Sequence, residues 1–261
     1  TRPSQESSTR PSQESSTRPS QESSTRRRQR SVSQTFLGDL LTEQLADWQQ
    51  ETGTDPITIV DLGGGTGGLA TSLAGQGHAV TVIDPSPDAL ASLERRAAES
   101  QLSDRVTALQ GDAGDLVELV GTESVDVLIC HRVLEYVDQP ADALREMAAC
   151  LRPAGLLSLL VAGRRSAALT HALNGQFRSA REVLDDERRF DPDRLKRLLG
   201  QSGFEIVAQH GIGAIADLVP ESAPARSQQS REDLFALEHE ISTDPVFRAL
   251  APYLHIAARL S

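Results

Sequence analysis

Lysine is almost missing from this chain of 261 residues: it occurs once, at Lys196, and arginine carries nearly all of the positive charge. Positive charge as a whole is short, with 26 Lys and Arg against 37 Asp and Glu and a formal net charge of −11. A field of that sign repels polyanions, so any contact with nucleic acid has to be local. Aromatic residues are 3% of the chain, which leaves the core to Leu, Val, Ile and Ala and argues against a surface of stacking platforms for single strands. The two cysteines, Cys130 and Cys150, have no CxxC spacing and lie in stretches that read as buried. A disulfide framework is thereby excluded, and a reducing, cytoplasmic compartment is expected. No apolar run approaches the roughly 18–20 residues of a membrane span, and no apolar signal core opens the chain, so a soluble protein without membrane contact is expected. The length is enough to bury a real core.

The chain is uneven. Residues 1–24 are three identical copies of TRPSQESS, which contain nothing apolar to bury, and the basic run Arg26-Arg27-Arg28-Gln29-Arg30 follows. Residues 1–30 are therefore expected to be a disordered repeat and basic arm, able at most to find phosphate, with a folded domain over 31–261. From Phe36 the pattern changes: Phe36, Leu40, Leu41, Leu45 and Trp48 recur at helical spacing until Gly53 and Pro56 stop them. Ile57–Leu62 is a short β-branched run that breaks into glycines, and Leu69–Ala74 returns to helical spacing. The same alternation continues through Ala79–Ile83, Ala89–Ala98, Val106–Leu109, Val125–Cys130, Ala141–Leu151 and Leu156–Val161. Strands separated by helices predict parallel βαβ units and an α/β fold, a Rossmann-like doubly wound sheet covered on both faces. Phe204–Val207 and Tyr253–Arg259 need no long helix between them and are expected to close it as a hairpin-like pair. The result is a seven-stranded sheet, mostly parallel with an antiparallel terminal strand. Residues 163–191 interrupt the rhythm after the fifth strand, an insertion at the strand carboxyl ends, where open α/β sheets bind ligands.

The glycine loop carries the chemistry. Asp61-Leu62-Gly63-Gly64-Gly65-Thr66-Gly67-Gly68 follows a predicted strand and opens a predicted helix, so backbone can approach a nucleotide-type cofactor closely. Gly63, Gly65 and Gly68 satisfy the GxGxxG of dinucleotide enzymes, while Asp61, Gly63, Gly65 and Gly67 satisfy the DxGxGxG of S-adenosylmethionine enzymes. Asp84, about 20 positions on, suits the ribose of either cofactor. Three features favour the sulfonium cofactor. Asp61 would repel a pyrophosphate but can face a methionine ammonium; Gly111-Asp112 offers a second carboxylate at the height of an adenine amino group; and Leu151-Arg152-Pro153-Ala154-Gly155 is the turn expected before the fifth strand of such enzymes.

The segment Cys130-His131-Arg132-Val133-Leu134-Glu135-Tyr136-Val137 resembles the HxVLEW segment of the bacterial tRNA 5-carboxymethoxyuridine methyltransferase family. The likeness runs on through LRPAGLLSLL, THALNGQF, DPDRLKRLLGQSGFEI, the Leu234–Ile241 helix and the closing YLHIAAR, over roughly residues 36–259. It implies a class I methyltransferase whose cofactor contacts fall on Gly63, Gly64, Asp84, Ala113, Gly114 and His131. The family's further contact from an N-terminal arginine has Arg30 as its nearest counterpart, at a different spacing from Asp61. It also implies a tRNA wobble-uridine carboxylate as acceptor. This chain departs from the family in the insertion, where a lysine-rich run is replaced by Arg178, Arg181, Arg188 and Arg189 among acidic residues. That departure and the net acidity keep a small-molecule carboxylate or hydroxyl open as acceptor.

Methyl transfer is an in-line displacement in which the protein mainly aligns the partners and excludes water. A carboxylate, ionised near neutral pH, needs no general base, so an arginine clamp is expected. Arg164, Arg165 and Arg178 beside the insertion are candidates for it, with His171 and Asn174 as candidate lining of the acceptor pocket. A hydroxyl or amine acceptor would need a base, and His131 is the first candidate. Tyr136 is expected either as an apolar wall over adenine or as core, the Leu234–Ile241 stripe as core, and His78 as a turn residue. His210, His239 and His255 show no metal-ligand spacing, and no metal is expected. Two readings of other classes stay open here: a nicotinamide oxidoreductase using the overlapping GxGxxG, and a binding module that holds cofactor without turnover.

Overall fold

A computed structural model describes residues 31–219 and 227–261, so the repeat, the basic arm and Arg30 lie outside the described residues. Ser31 caps the first helix, α1 (Val32–Thr52), in a reciprocal box with Gln34, and Gly53 ends it. The chain then alternates as predicted, with one short helix, α4, that the pattern did not mark: β1 (Thr58–Leu62), α2 (Gly68–Gly75), β2 (Ala79–Asp84), α3 (Pro87–Glu99), β3 (Val106–Gln110), α4 (Leu116–Val120), β4 (Val125–His131), α5 (Pro140–Cys150) and β5 (Leu151–Ala162). α6 (Arg164–Leu173) and α7 (Phe177–Glu182) build the insertion, followed by α8 (Pro192–Gln201), β6 (Phe204–Ile212), α9 (Gln228–Ile241), α10 (Pro245–Leu250) and β7 (Tyr253–Leu260).

The sheet order is β3-β2-β1-β4-β5-β7-β6. β1 to β5 pair in parallel, and β7 runs antiparallel to both of its neighbours. β4 is buried along nearly its whole length, with the apolar run Val127–Cys130 of a central parallel strand. On one face pack Leu116, Leu144, Met147, Leu195 and Leu199 from α4, α5 and α8; on the other, Leu41, Leu45 and Trp48 of α1 with Leu73, Leu90 and Leu93 of α2 and α3. The chain reverses its winding between β1 and β4, and a crevice opens outside their carboxyl ends for that topological reason.

Three expectations need correction. The terminal strands pair, but α9 and α10 lie between them, and β7 enters the sheet between β5 and β6. The antiparallel strand is thus last in sequence and one place in from the edge. The LRPAG stretch is part of β5 and forms a bulge, with Ala154 at φ 61° and a register shift against β4 between Val125 and Val127. Trp48 Nε1 donates to the Ala154 carbonyl at 3.0 Å, and Arg152 pairs with buried Asp126, so the bulge ties α1 to the sheet. The Leu234–Ile241 stripe is core only in part: Phe235 packs edge to face on buried Phe36, but Leu237 is exposed, and the fully buried residue of α9 is Glu238, whose carboxylate accepts the N–H groups of Ala214, Ile215 and Ala216.

Candidate active site

The loop from β1 to α2 closes the sheet's switch point because its glycines stand where side chains have no room. Gly63 has φ +71°, and a Cβ there would collide with Val133 Cγ2 of the segment after β4. A Cβ on Gly64 would stand 2.5 Å from Asp61 Oδ2 and 2.9 Å from Val82 Cγ1. The Asp61 carboxylate therefore lies directly against the loop backbone. Asp61 is buried, its Oδ2 has no hydrogen-bond partner, and burial, with Asp84 adding repulsion, pushes its pKa up to about 7. A buried carboxylate oxygen left unpaired is costly unless a ligand answers it, and a cation is the natural answer.

Asp84 ends β2 nearly buried and accepts from Gly65 N at 2.9 Å and Ser86 N at 2.9 Å. It fixes the loop's height over the strand ends and keeps further lone pairs for a diol. Asp112 is exposed and accepts from Gly114 N at 2.7 Å, while its own N–H donates to Asp115 at 2.9 Å. Gly63, Asp112, buried Ala113 and Gly114 line one cavity of about 750 Å³, with Val133, Tyr136 and Val137 on its opposite wall. Gly63 and the 112–114 turn thus share a cavity wall, Asp84 meets the glycine loop through Gly65 N, and Asp61, Gly64, Gly65, Gly67 and Asp84 are not among the residues that line the cavity.

A second cavity, of about 470 Å³, lies beyond Tyr136. Its basic residues are Arg132, Arg188 and Arg189, facing Glu135, Asp186 and His171. Arg132 follows β4 in a left-handed conformation at φ 60°, with its guanidinium 5.2 Å from the Tyr253 ring centre. Asp186 accepts from Arg188 N and Nε, and Arg189 Nε is 3.9 Å from its other oxygen. Glu135 Oε1 accepts from Ala162 N, Oε2 is buried without a partner, and burial raises this carboxyl's pKa. Tyr136 is 80% exposed and lines both cavities, so it is a partition between them and not core.

The arginines singled out from sequence lie elsewhere. Arg164 uses its guanidinium on the Leu184 and Arg189 carbonyls and approaches Asp191 at 4.0 Å, tying together the neck of the insertion. Arg165 is exposed outside both cavities, and Arg178 lines a separate groove with Phe177 and Arg181. His171 does line the second cavity, with Nδ1 2.8 Å from Gln176 Oε1, whereas Asn174 caps α6 and donates to the Thr170 carbonyl. Arg132, Arg188, Arg189 and Glu135 had no spacing signal, because they meet only through the turn after β4 and the return of the insertion. His131 lines neither cavity: its Nε2 is 2.9 Å from Ser158 Oγ, and burial lowers its pKa to about 4. His78 is buried ahead of β2, with Ile57 N directed at its Nδ1.

Residues 26–209 match the family model described as a methyltransferase domain. The tRNA 5-carboxymethoxyuridine methyltransferase of Escherichia coli K12 is 26% identical over 244 residues, 88% of this chain and 92% of that protein. Among solved structures, the plantazolicin methyltransferase BamL in complex with a triazolic desmethylPZN analog and SAH superposes with a TM-score of 0.57 at 17% identity, over 87% of this chain and 85% of that one. The geranyl diphosphate C-methyltransferase of Streptomyces coelicolor A3(2), in complex with Mg2+, geranyl diphosphate and S-adenosyl-L-homocysteine, gives 0.56 at 16% identity, over 86% and 80%.

Proposed function

This chain belongs to the methyltransferase domain family, and from that premise we propose that it methylates a carboxylate, that of 5-carboxymethoxyuridine at the wobble position of tRNA. The enzyme is S-adenosylmethionine-dependent, which resolves the overlap of glycine patterns against the nicotinamide reading. The chemistry of the residues fits that cofactor: the buried Asp61 carboxylate suits an ammonium group, the glycine cradle admits backbone contact, and Asp84 at the end of β2 suits ribose hydroxyls. When bound, the cofactor supplies a methyl group on a sulfonium.

The observation that carries the acceptor class is the cavity holding Arg132, Arg188 and Arg189 on the far side of Tyr136. Its three guanidinium groups outnumber the two carboxylates beside them, Glu135 and Asp186, and that balance suits an anion, while bidentate hydrogen bonding by arginine suits a carboxylate. An ionised carboxylate reacts without losing a proton, so these residues need only bind it, orient it and keep water out. Tyr136 aligns the acceptor at the opening between the cavities. The tRNA identity is supported by the relative from Escherichia coli, which matches over nearly its full length. A small carboxylate metabolite is the second reading, favoured by a net charge of −11, which repels a polyanion.

The test is transfer of labelled methyl from S-adenosylmethionine to total tRNA and to the small-molecule extract of cells lacking the gene. Label in tRNA, lost in Asp84→Ala, is expected; label confined to the small-molecule pool overturns the tRNA assignment.

A further inference from the structure

A row of polar groups, buried at its centre, crosses the sheet and lines neither of the two cavities. His131 ends β4, Ser158 lies in β5, and His255 lies in β7. Ser158 and His255 are fully buried. The Ser158 hydroxyl is 2.9 Å from His131 Nε2 and 3.0 Å from His255 Nε2, and the two rings meet edge to face with centroids 5.9 Å apart. His210 of β6 stands opposite His255 in the register, with Nδ1 3.1 Å from Ser242 Oγ.

Counting hydrogens restricts what these rings can be. A hydroxyl has one hydrogen to donate, so between two imidazole nitrogens it donates to one and accepts from the other. Both histidines are neutral near pH 7, since burial lowers the pKa of each and their mutual proximity lowers that of His255 further. One of the pair therefore carries its hydrogen on Nε2 and the other on Nδ1. The choice falls on His255 Nδ1, which is buried with no hydrogen-bond partner among the described residues. An orphaned buried N–H is the rarer kind of unpaired group, so Nδ1 is the bare nitrogen. His255 Nε2–H then donates to Ser158, Ser158 donates to His131 Nε2, and the hydrogen of His131 is on Nδ1.

We propose that Ser158 and His255 are positioning residues that hold His131 in its Nδ1–H tautomer, making it a hydrogen-bond donor at the end of β4 and not a general base. The inference rests on this hydrogen-bond chain and not on the identity of the acceptor.

The test is two-bond 1H–15N correlation spectroscopy of the full chain labelled with 15N-histidine at pH 7.5, with His131→Asn to assign the ring. His131 is expected with Nδ1 protonated and Nε2 bare, and His255 with the reverse. His210 is an internal control, since Ser242 donates to the His239 carbonyl at 2.9 Å and can only accept from His210 Nδ1–H. Ser158→Ala should release the bias and give His131 averaged tautomer shifts, without the change at His210 that a general loss of structure would bring. A wild-type His131 protonated on Nε2, or averaged between tautomers, overturns the proposal, as does an unchanged His131 pattern in Ser158→Ala. Because no cofactor or acceptor is added, failure here is distinguishable from failure of the tRNA assignment.

Discussion

Asp61→Asn should make the cofactor-free protein more stable at alkaline pH while weakening its hold on cofactor. The carboxyl is raised from 3.8 to about 7 by burial and by Asp84. A folded-state pKa above the unfolded one means that the folded protein resists ionisation, so stability is fullest below pH 4 and is lost as the pH climbs towards 7. At about 1.4 kcal/mol per unit, the full loss is on the order of 4 kcal/mol, of which about 2 kcal/mol falls between pH 5.5 and 8.5. Asparagine keeps the shape and does not ionise. Urea unfolding of wild type and Asp61→Asn at the two pH values should therefore show a gap that widens by about 2 kcal/mol in the variant's favour at pH 8.5. Calorimetry with S-adenosylhomocysteine should show the opposite preference. The ligand's ammonium draws the carboxyl into its ionised form, so wild-type affinity should rise from pH 5.5 to 7, and the variant should bind more weakly without that rise. A stability gap of equal size at both pH values would refute the reasoning, because the buried carboxyl would then have no raised pKa for the variant to relieve.

Two further substitutions separate site from scaffold. Tyr136→Ala removes a ring that is 80% exposed, so stability should stay within about 0.5 kcal/mol, yet kcat/KM for the acceptor should fall about tenfold or more as the partition is lost. An unchanged kcat/KM would deny Tyr136 its place between the cavities. Glu238→Gln puts an amide where a carboxylate accepts three backbone N–H groups at 2.6, 3.1 and 2.9 Å, and it should destabilise by about 2–4 kcal/mol in urea unfolding with little change in slope. A neutral effect would mean that the loop after β6 does not depend on that carboxylate.

The amino-acid sequence by itself determined the alternation of strands and helices, because periodicity and glycine breaks are local and the central strands are buried on both faces. It likewise determined where Asp61, the glycines, Asp84 and the 112–114 turn lie: at consecutive strand ends, where a short stretch of chain fixes each position. Only the tertiary structure decided the lining of the second cavity. Arg132 faces Arg188 and Arg189 because the insertion returns through the backbone pairing of Gly163 with Phe190, a contact between distant residues that no spacing reveals. Arg164, the residue picked for the clamp, is occupied in holding that return closed. The same holds for His131, whose place at the end of β4 was legible but whose ring direction was set by Ser158 and His255 on two other strands. It holds again for α9, where helical periodicity pointed to an apolar stripe and the residue that the fold buried fully is Glu238, since three backbone N–H groups in the loop after β6 needed an acceptor.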